Sequence, residues 1–334
     1  MMPLMRAVQI GAPGADLELV QREIPAPREN QVLIQVAACG ICHGDAIVKE
    51  GHFPGIQYPR IPGHEVIGTI AALGAAVKHW RVGQRVGVGW HGGHCFQCGA
   101  CRRGDFWACE DSLTTGITID GGYAEYMTAR EEALVSIPDD LDSRTGAPLL
   151  CAGRTTFGAL KGSHAKGGDL VAIHGIGGLG HLAVQYAVKM GFKTVALSRG
   201  REKEALAHQL GAHDYIDTTA GNAAQALKKM GGARLILGTA PNGKAIAELF
   251  GGLVRNGQLI IVAAPRDPIQ IPGGQLLGGG SLSGSVGGSI AEAIDFSMVF
   301  GVRPMVEVFP LEQAALAFEK MMTSKVHFRS VLQM

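Results

Sequence analysis

The strongest constraint on this chain is a run of four cysteines, Cys95-x2-Cys98-x2-Cys101-x7-Cys109. Thiolates two residues apart on a tight loop converge on one tetrahedral ion, and Gly99 and Gly104 ease the turns such a loop needs. Four sulfurs leave no position open to water, so the expected occupant is a structural zinc rather than a catalytic one. Two other readings stand beside it. The cysteines could be free and buried, or could hold an iron–sulfur cluster; the x7 gap and the lack of a following Cys-Pro disfavour the cluster. The chain has seven cysteines, the others being Cys39, Cys42 and Cys151. An odd number, crowded in this way, reads as metal ligation in a reducing compartment rather than as disulfides.

The remaining composition narrows the class. A chain of 334 residues suggests two domains. Hydrophobic residues make up 46% and charged residues 18%, as in an ordinary globular protein with a good core. The net charge of +1 gives no electrostatic case for nucleic acid or an anionic membrane as partner. The start, Met1-Met2-Pro3-Leu4-Met5-Arg6, has no basic region followed by an apolar stretch and a cleavage site. No apolar run approaches the ~20 residues of a membrane span. A cytoplasmic location is expected.

Three textures follow one another along the chain. Up to about Leu150, short apolar runs are broken by Gly and Pro; 32–36, 66–70 and 85–88 look like strands of a mostly β, barrel-like lobe. From about 153 to 288, strands alternate with helices. Strands are expected at 170–173, 194–197, 235–237 and 259–262, and helices at 179–190 and 202–210. This alternation argues for a parallel sheet covered by helices, and hence for an α/β chain. The glycine-rich 273–288 segment reads as loops and an edge strand closing the sheet. Helices at 290–299 and 311–322 and a terminal strand at 329–332 complete the chain, which has no internal repeat.

Two further motifs carry chemistry. Gly175-Ile176-Gly177-Gly178-Leu179-Gly180 follows a strand and opens a helix, with a second strand ending near Ser198. In that context the glycines allow a tight turn and a pyrophosphate at the helix N-terminus. A glycine-rich turn of some other α/β domain is the alternative. An NAD site normally has a carboxylate ~20 residues further on, at the ribose. Here the strand ends Leu197-Ser198-Arg199-Gly200-Arg201, with Lys203 beyond. These donors suit a 2′-phosphate, so NADP(H) is favoured over NAD(H), with a solvated basic loop as the other reading. Cys42, His64 and Cys151 are possible ligands of a second metal. Each taken alone is as readily a turn histidine or a core cysteine. If they converge, a position remains open, as in a catalytic zinc site, and Asp45 could orient His64.

Taken together, these motifs resemble the zinc-containing medium-chain alcohol dehydrogenase family over essentially the whole chain. The bacterial and yeast-type, cinnamyl-alcohol-like branch is the most similar in flavour. The specific elements are Cys39-Gly40-Ile41-Cys42-His43, Pro62-Gly63-His64-Glu65, the four-cysteine lobe at about 90–112, Cys151 and the Gly175–Gly180 turn. The resemblance implies a GroES-like catalytic domain of residues 1–152 and 289–334, and a Rossmann doubly wound parallel-sheet domain of residues 153–288. It implies two zinc ions per chain, with Cys42, His64 and Cys151 on the catalytic one. It gives Glu65 the role of a carboxylate able to approach that zinc. His43 and Arg329 would contact the cofactor phosphates, Thr155 would lie beside the nicotinamide, and Trp90 and His91 would stand at the substrate pocket. Relatives of this branch are commonly homotetramers or homodimers.

One departure stands out. The family usually has Ser or Thr two positions after the first ligand, starting a proton relay; here the residue is Gly44, and the next relay position looks like Ile47. His52 is a candidate substitute. The reaction implied is hydride transfer between a nicotinamide and a small alcohol or aldehyde, with Lewis acidity at the substrate oxygen. Reduction of an activated C=C bond, or a non-catalytic zinc and nucleotide-binding role, are the rivals.

Overall fold

The computed structural model describes residues 3–285 and 287–334; Met1, Met2 and Val286 lie outside the described residues. The chain forms two compact units, Met1–Cys151 with Arg303–Met334, and Ala152–Val302.

The first unit is built on a seven-stranded sheet. Its order is Val306–Pro310, Arg329–Gln333, Gln31–Gly40, Val66–Leu73, Arg85–Val88 and Leu134–Ser136, with Tyr126–Arg130 also paired to Gln31–Gly40. Strand Gln31–Gly40 alternates as a half-buried strand should: Val32, Ile34, Val36 and Ala38 are buried, while Gln35 faces outward. Val32, Ile34 and Val36 join Val66, Ile70, Val86, Val88, Met127, Phe318 and Leu332 in one core. The register then does the positioning. Cys39 stands opposite Val66 on one side and Leu332 on the other. The chain running out of Gly40 into Cys42 therefore emerges beside His64 and Glu65, which lead into Val66–Leu73. Arg329 opens the flanking strand, and the Ile41 amide bonds the Ser330 carbonyl at 2.9 Å.

The second unit is a six-stranded parallel sheet. In chain order its strands are Leu170–His174, Lys193–Ser198, Asp214–Asp217, Ala233–Gly238, Leu253–Ile261 and Ser281–Gly284. In space they lie third, second, first, fourth, fifth, sixth. That is the doubly wound order, with its switch point at the first strand. Leu170–His174 is buried along its whole length, as a central parallel strand covered on both faces must be. The expected strands and helices are found within a few residues of their predicted bounds. The glycine-rich segment resolves into a short helix, Gly273–Leu277, and the edge strand Ser281–Gly284.

The second domain boundary differs from the expected 288/289. Helix Ile290–Phe300 packs into the second unit, which therefore ends at Val302. The reason is an aromatic cluster. Phe296 lies 5.2 Å from the Phe157 ring and 5.8 Å from the Tyr186 ring. The Tyr186 hydroxyl meets Ser297 Oγ at 2.7 Å, and Ser297 Oγ donates to the Ala293 carbonyl at 2.6 Å. Tyr186→Phe removes one buried hydrogen bond while leaving Ser297 its own acceptor. It is expected to lower stability by about 1 kcal/mol, read from denaturant unfolding followed by circular dichroism; an unchanged midpoint would show that the bond contributes nothing.

Candidate functional site

Both cysteine groups anticipated from the sequence are assembled within the first unit. The ligand atoms of Cys95, Cys98, Cys101 and Cys109 lie within 4.8 Å of one another, and so do those of Cys42, His64, Glu65 and Cys151.

In the four-cysteine lobe, backbone amides are aimed at sulfur. Cys95 Sγ accepts from the Gln97 and Cys98 amides at 3.4 and 3.3 Å, Cys98 Sγ from the Cys101 amide at 3.5 Å, and Cys109 Sγ from the Cys95 amide at 3.3 Å. Amide donors favour thiolate over thiol. The Cys101 amide is the chief cause holding the Cys98 thiol down to about 6. Burial pushes the Cys101 thiol up to about 12, but four sulfurs gathered on one point fit a closed divalent metal site.

The second group grows out of one short helix, His43–Glu50. Cys42 caps it, its Sγ accepting the Gly44 amide at 3.5 Å. Asp45, one turn in, reaches back so that Oδ2 accepts the Cys42 amide at 2.9 Å. The same carboxylate accepts from the Gly63 amide at 3.2 Å and the Tyr123 hydroxyl at 2.9 Å, and lies 3.1 Å from His64 Nδ1. Against a carboxylate Nδ1 carries the proton, so His64 Nε2 presents its lone pair. That nitrogen is buried and has no hydrogen-bond partner among the described residues. Cys42 Sγ and Cys151 Sγ are 3.7 Å apart. Two sulfurs held ~2.3 Å from a tetrahedral zinc stand roughly that far from each other. The orphaned Nε2 and this sulfur spacing fit a metal ion.

The electrostatics point the same way. Hydrogen bonding from Cys151 holds the Cys42 thiol well below its usual pKa against the effect of burial, with His64 and Arg329 adding to it. Burial penalises a charged His64, yet Asp45 and Cys42 together lift its pKa well above the usual range. Hydrogen bonding with Cys42 and burial push the Cys151 thiol well above its usual range. Glu65 is fully buried, and burial raises it to about 7 despite the opposing pull of Arg329.

Several residues are placed more sharply than the sequence allowed. Arg329 is buried and ion-paired with Glu65. Trp90 lies edge-on to the His64 ring at 4.9 Å. His91 turns the other way, with Nε2 2.9 Å from His94 Nδ1 and its ring 5.9 Å from Trp107 in the four-cysteine lobe. His52 is paired with Glu50 at 2.9 Å and its side chain is largely exposed. His43 is the first residue of its helix. Tyr123 was not anticipated: it reads as one more aromatic after a glycine pair, and only its hydroxyl, buried on Asp45, reveals its part.

The second unit carries the dinucleotide turn. Gly175 has φ +94°, which disfavours any side chain. A Cβ on Gly180 would lie 1.8 Å from the Gly175 carbonyl oxygen, whereas one on Gly177 would meet nothing within 4 Å. Gly177 thus leaves open the approach a pyrophosphate needs. Gly178 and Leu179 complete the turn into helix Gly180–Lys189. Thr155 lies on helix Ala152–Lys161. Ser198 ends its strand, and the next loop is held at Gly200. The Gly200 amide donates to Asp217 at 2.9 Å, and the Gly200 carbonyl accepts from the Tyr215 hydroxyl at 2.7 Å. Lys203 Nζ donates to the Ile176 carbonyl at 2.7 Å, tying that loop to the glycine turn.

Residues 28–139 match the family model of the alcohol dehydrogenase GroES-like domain, and residues 178–299 that of the zinc-binding dehydrogenase. The chain is 43% identical to the alcohol dehydrogenase notN of Aspergillus sp. (strain MF297-2), over 96% of this chain and 95% of that one. The chain belongs to the zinc-containing alcohol dehydrogenase family. An alcohol dehydrogenase of Geobacillus stearothermophilus is 39% identical across 99% of both chains. Among solved structures, the Helicobacter pylori CAD complexed with NADP(H) superposes with a TM-score of 0.88 at 27% identity, covering 100% of this chain and 99% of that one. Asp45 is the carboxylate that contacts His64 in this group. Asp45→Asn is expected to weaken zinc binding at this group by about ten- to a hundredfold, measured by competition with a chromophoric chelator; unchanged affinity would remove Asp45 from the site's support.

Proposed function

We propose that this chain is a zinc-dependent alcohol dehydrogenase and aldehyde reductase that holds two zinc ions and uses NADP(H) in preference to NAD(H). The observation that carries the reading is the convergence of Cys42, His64 and Cys151 around a buried, unsatisfied His64 Nε2, in a chain of this family. Cys42, His64 and Cys151 would hold the catalytic ion, and Cys95, Cys98, Cys101 and Cys109 the structural one. When bound, zinc supplies Lewis acidity at the substrate oxygen, and the nicotinamide supplies or accepts the hydride.

The chain's own residues do the rest. Asp45 fixes the tautomer and orientation of His64. Arg329 keeps the buried Glu65 compensated, which holds a carboxylate in reserve beside the ligands. Gly175, Gly177 and Gly180 present a close backbone turn to the pyrophosphate. Ser198, Arg199 and Lys203 offer donors to a 2′-phosphate. Arg201 pairs with Glu204 at 2.7 Å, so Arg199 is the cation we assign to that phosphate. The NADP(H) complex of the Helicobacter pylori relative supports this choice.

Self-association and a cytoplasmic location complete the proposal. Among the described residues the edge strand Ser281–Gly284 pairs on one side only, and the preceding helix exposes Leu276 and Leu277; a second copy would cover both. All seven cysteines are free of disulfides, as in a reducing compartment. No helix among the described residues is long and apolar enough to cross a membrane.

Zinc counting joined to a cofactor-paired panel of alcohols and aldehydes tests the whole reading. Two zinc ions per chain are expected. Cys98→Ser should lose about one of them and some stability while keeping the Cys42–His64–Cys151 site. Turnover of cinnamaldehyde should give the alcohol; saturated aldehyde as product would favour C=C reduction, and no turnover with zinc in place a non-catalytic role. kcat/KM with NADPH should exceed that with NADH by about tenfold or more, the worth of one charge-assisted hydrogen bond. Arg199→Ala should erase most of that margin, and equal values in the parent chain would overturn the preference.

A further inference from the structure

A cavity of about 390 Å³ opens on the first unit, lined by Asn30, His79, Trp80, Phe96, Glu131 and Glu132. None of these belongs to either cysteine group. The volume is that of a small-molecule site. Two kinds of side chain dominate the lining, aromatic and acidic, and no Lys or Arg stands among its described residues. Glu132 is the most telling of them. Its side chain is only 8% exposed, and its Oε1 accepts no hydrogen bond among the described residues. Arg130 Nη1 stands 3.6 Å away and donates instead to the His94 carbonyl at 3.3 Å. A buried carboxylate without its full set of donors is costly, so one left at a cavity wall favours a cation from outside.

The aromatic side chains decide which cation. Trp80 is half-buried and packs on one side against the core of the unit, which anchors the indole. Phe96 is 60% exposed. The turn that aims the Gln97 and Cys98 amides at Cys95 Sγ gives Phe96 a φ of +60°, and its ring lies 4.1 Å from the His94 ring, which stacks on Phe106 at 4.0 Å. The phenyl is thus held at the cavity and not turned into the core. A metal ion would have no use for such rings, and an apolar ligand none for the carboxylates. An organic cation uses both: the ring faces attract it through their quadrupole, and the carboxylates balance its charge. We propose that this cavity binds a small alkylated ammonium ion, with Trp80 and Phe96 against its methyl groups and Glu131 and Glu132 as its counter-charge. The site is separate from the Cys42–His64–Cys151 group and does not depend on the oxidoreductase reading. Because Phe96 follows Cys95, an occupied cavity also braces the four-cysteine lobe, and binding to the folded chain alone raises its melting temperature.

The test uses the full zinc-loaded chain and tetramethylammonium chloride, which has no oxygen to offer a metal. Saturation-transfer NMR on the methyl signal reads binding, with sodium chloride holding the ionic strength constant. Saturable binding is expected, and tert-butanol, a neutral group of nearly the same size, should bind about tenfold more weakly or worse. Phe96 and Glu131 are not buried, so Phe96→Leu and Glu131→Gln should leave the fold intact. Each should weaken tetramethylammonium binding by about threefold or more. Glu132→Gln should weaken it at least as much, and the rise in melting temperature with tetramethylammonium should shrink in all three variants. Three results would overturn the proposal: no saturable binding, tert-butanol bound as well as the cation, or an affinity that Phe96→Leu leaves unmoved. The last would reduce the site to an ordinary acidic patch.

Discussion

A single buried carboxylate holds the candidate site together. Asp45 is almost wholly shielded from water, where an unpaired charge would be costly. It is compensated by contacts with the Cys42 amide, the Gly63 amide, the Tyr123 hydroxyl and His64 Nδ1. The four contacts come from three pieces of chain: the start of a helix, the loop before a strand, and a turn some eighty residues on. The interaction that satisfies the charge therefore also brings two of the three candidate ligands to one point. Cys151 arrives separately, at the end of the buried turn Ala147–Leu150. The sheet register makes the convergence possible by setting Cys39 beside Val66 and Leu332.

The same neighbourhood carries a second buried pair, Glu65 with Arg329, contributed by residues far apart in sequence. Such a pair is poor at adding net stability but strongly penalises loss of either partner. Here it ties the terminal strand to the ligand segment. The ligand group is left with a depressed Cys42 thiol and a buried His64 Nε2 that has no hydrogen-bond partner among the described residues. A cation would complete that arrangement, in which the four ligand atoms lie within 4.8 Å of one another.

Much of this is legible in the sequence alone. The four-cysteine spacing, the glycine turn between strand and helix, and the change in hydrophobic period all mark local chemistry, and the structure contains the corresponding elements. Less legible was anything that depends on sheet register or on packing between distant segments. Cys42, His64 and Cys151 are unremarkable residues in sequence, and only a family resemblance linked them. Tyr123 carries no motif, because its part depends on one hydroxyl reaching Asp45. The packing of helix Ile290–Phe300 within the second unit is hidden in the sequence, since its partners Phe157 and Tyr186 lie more than a hundred residues earlier.

The central claim is that Cys42, His64 and Cys151 hold a catalytic zinc apart from the four-cysteine lobe. The most direct measurement is anomalous scattering at the zinc edge from crystals of the zinc-loaded protein. The account predicts two peaks, one among Cys95, Cys98, Cys101 and Cys109, and one at ~2.0–2.3 Å from Cys42 Sγ, His64 Nε2 and Cys151 Sγ. A single peak confined to the four-cysteine lobe, with the other group intact and empty, would contradict it.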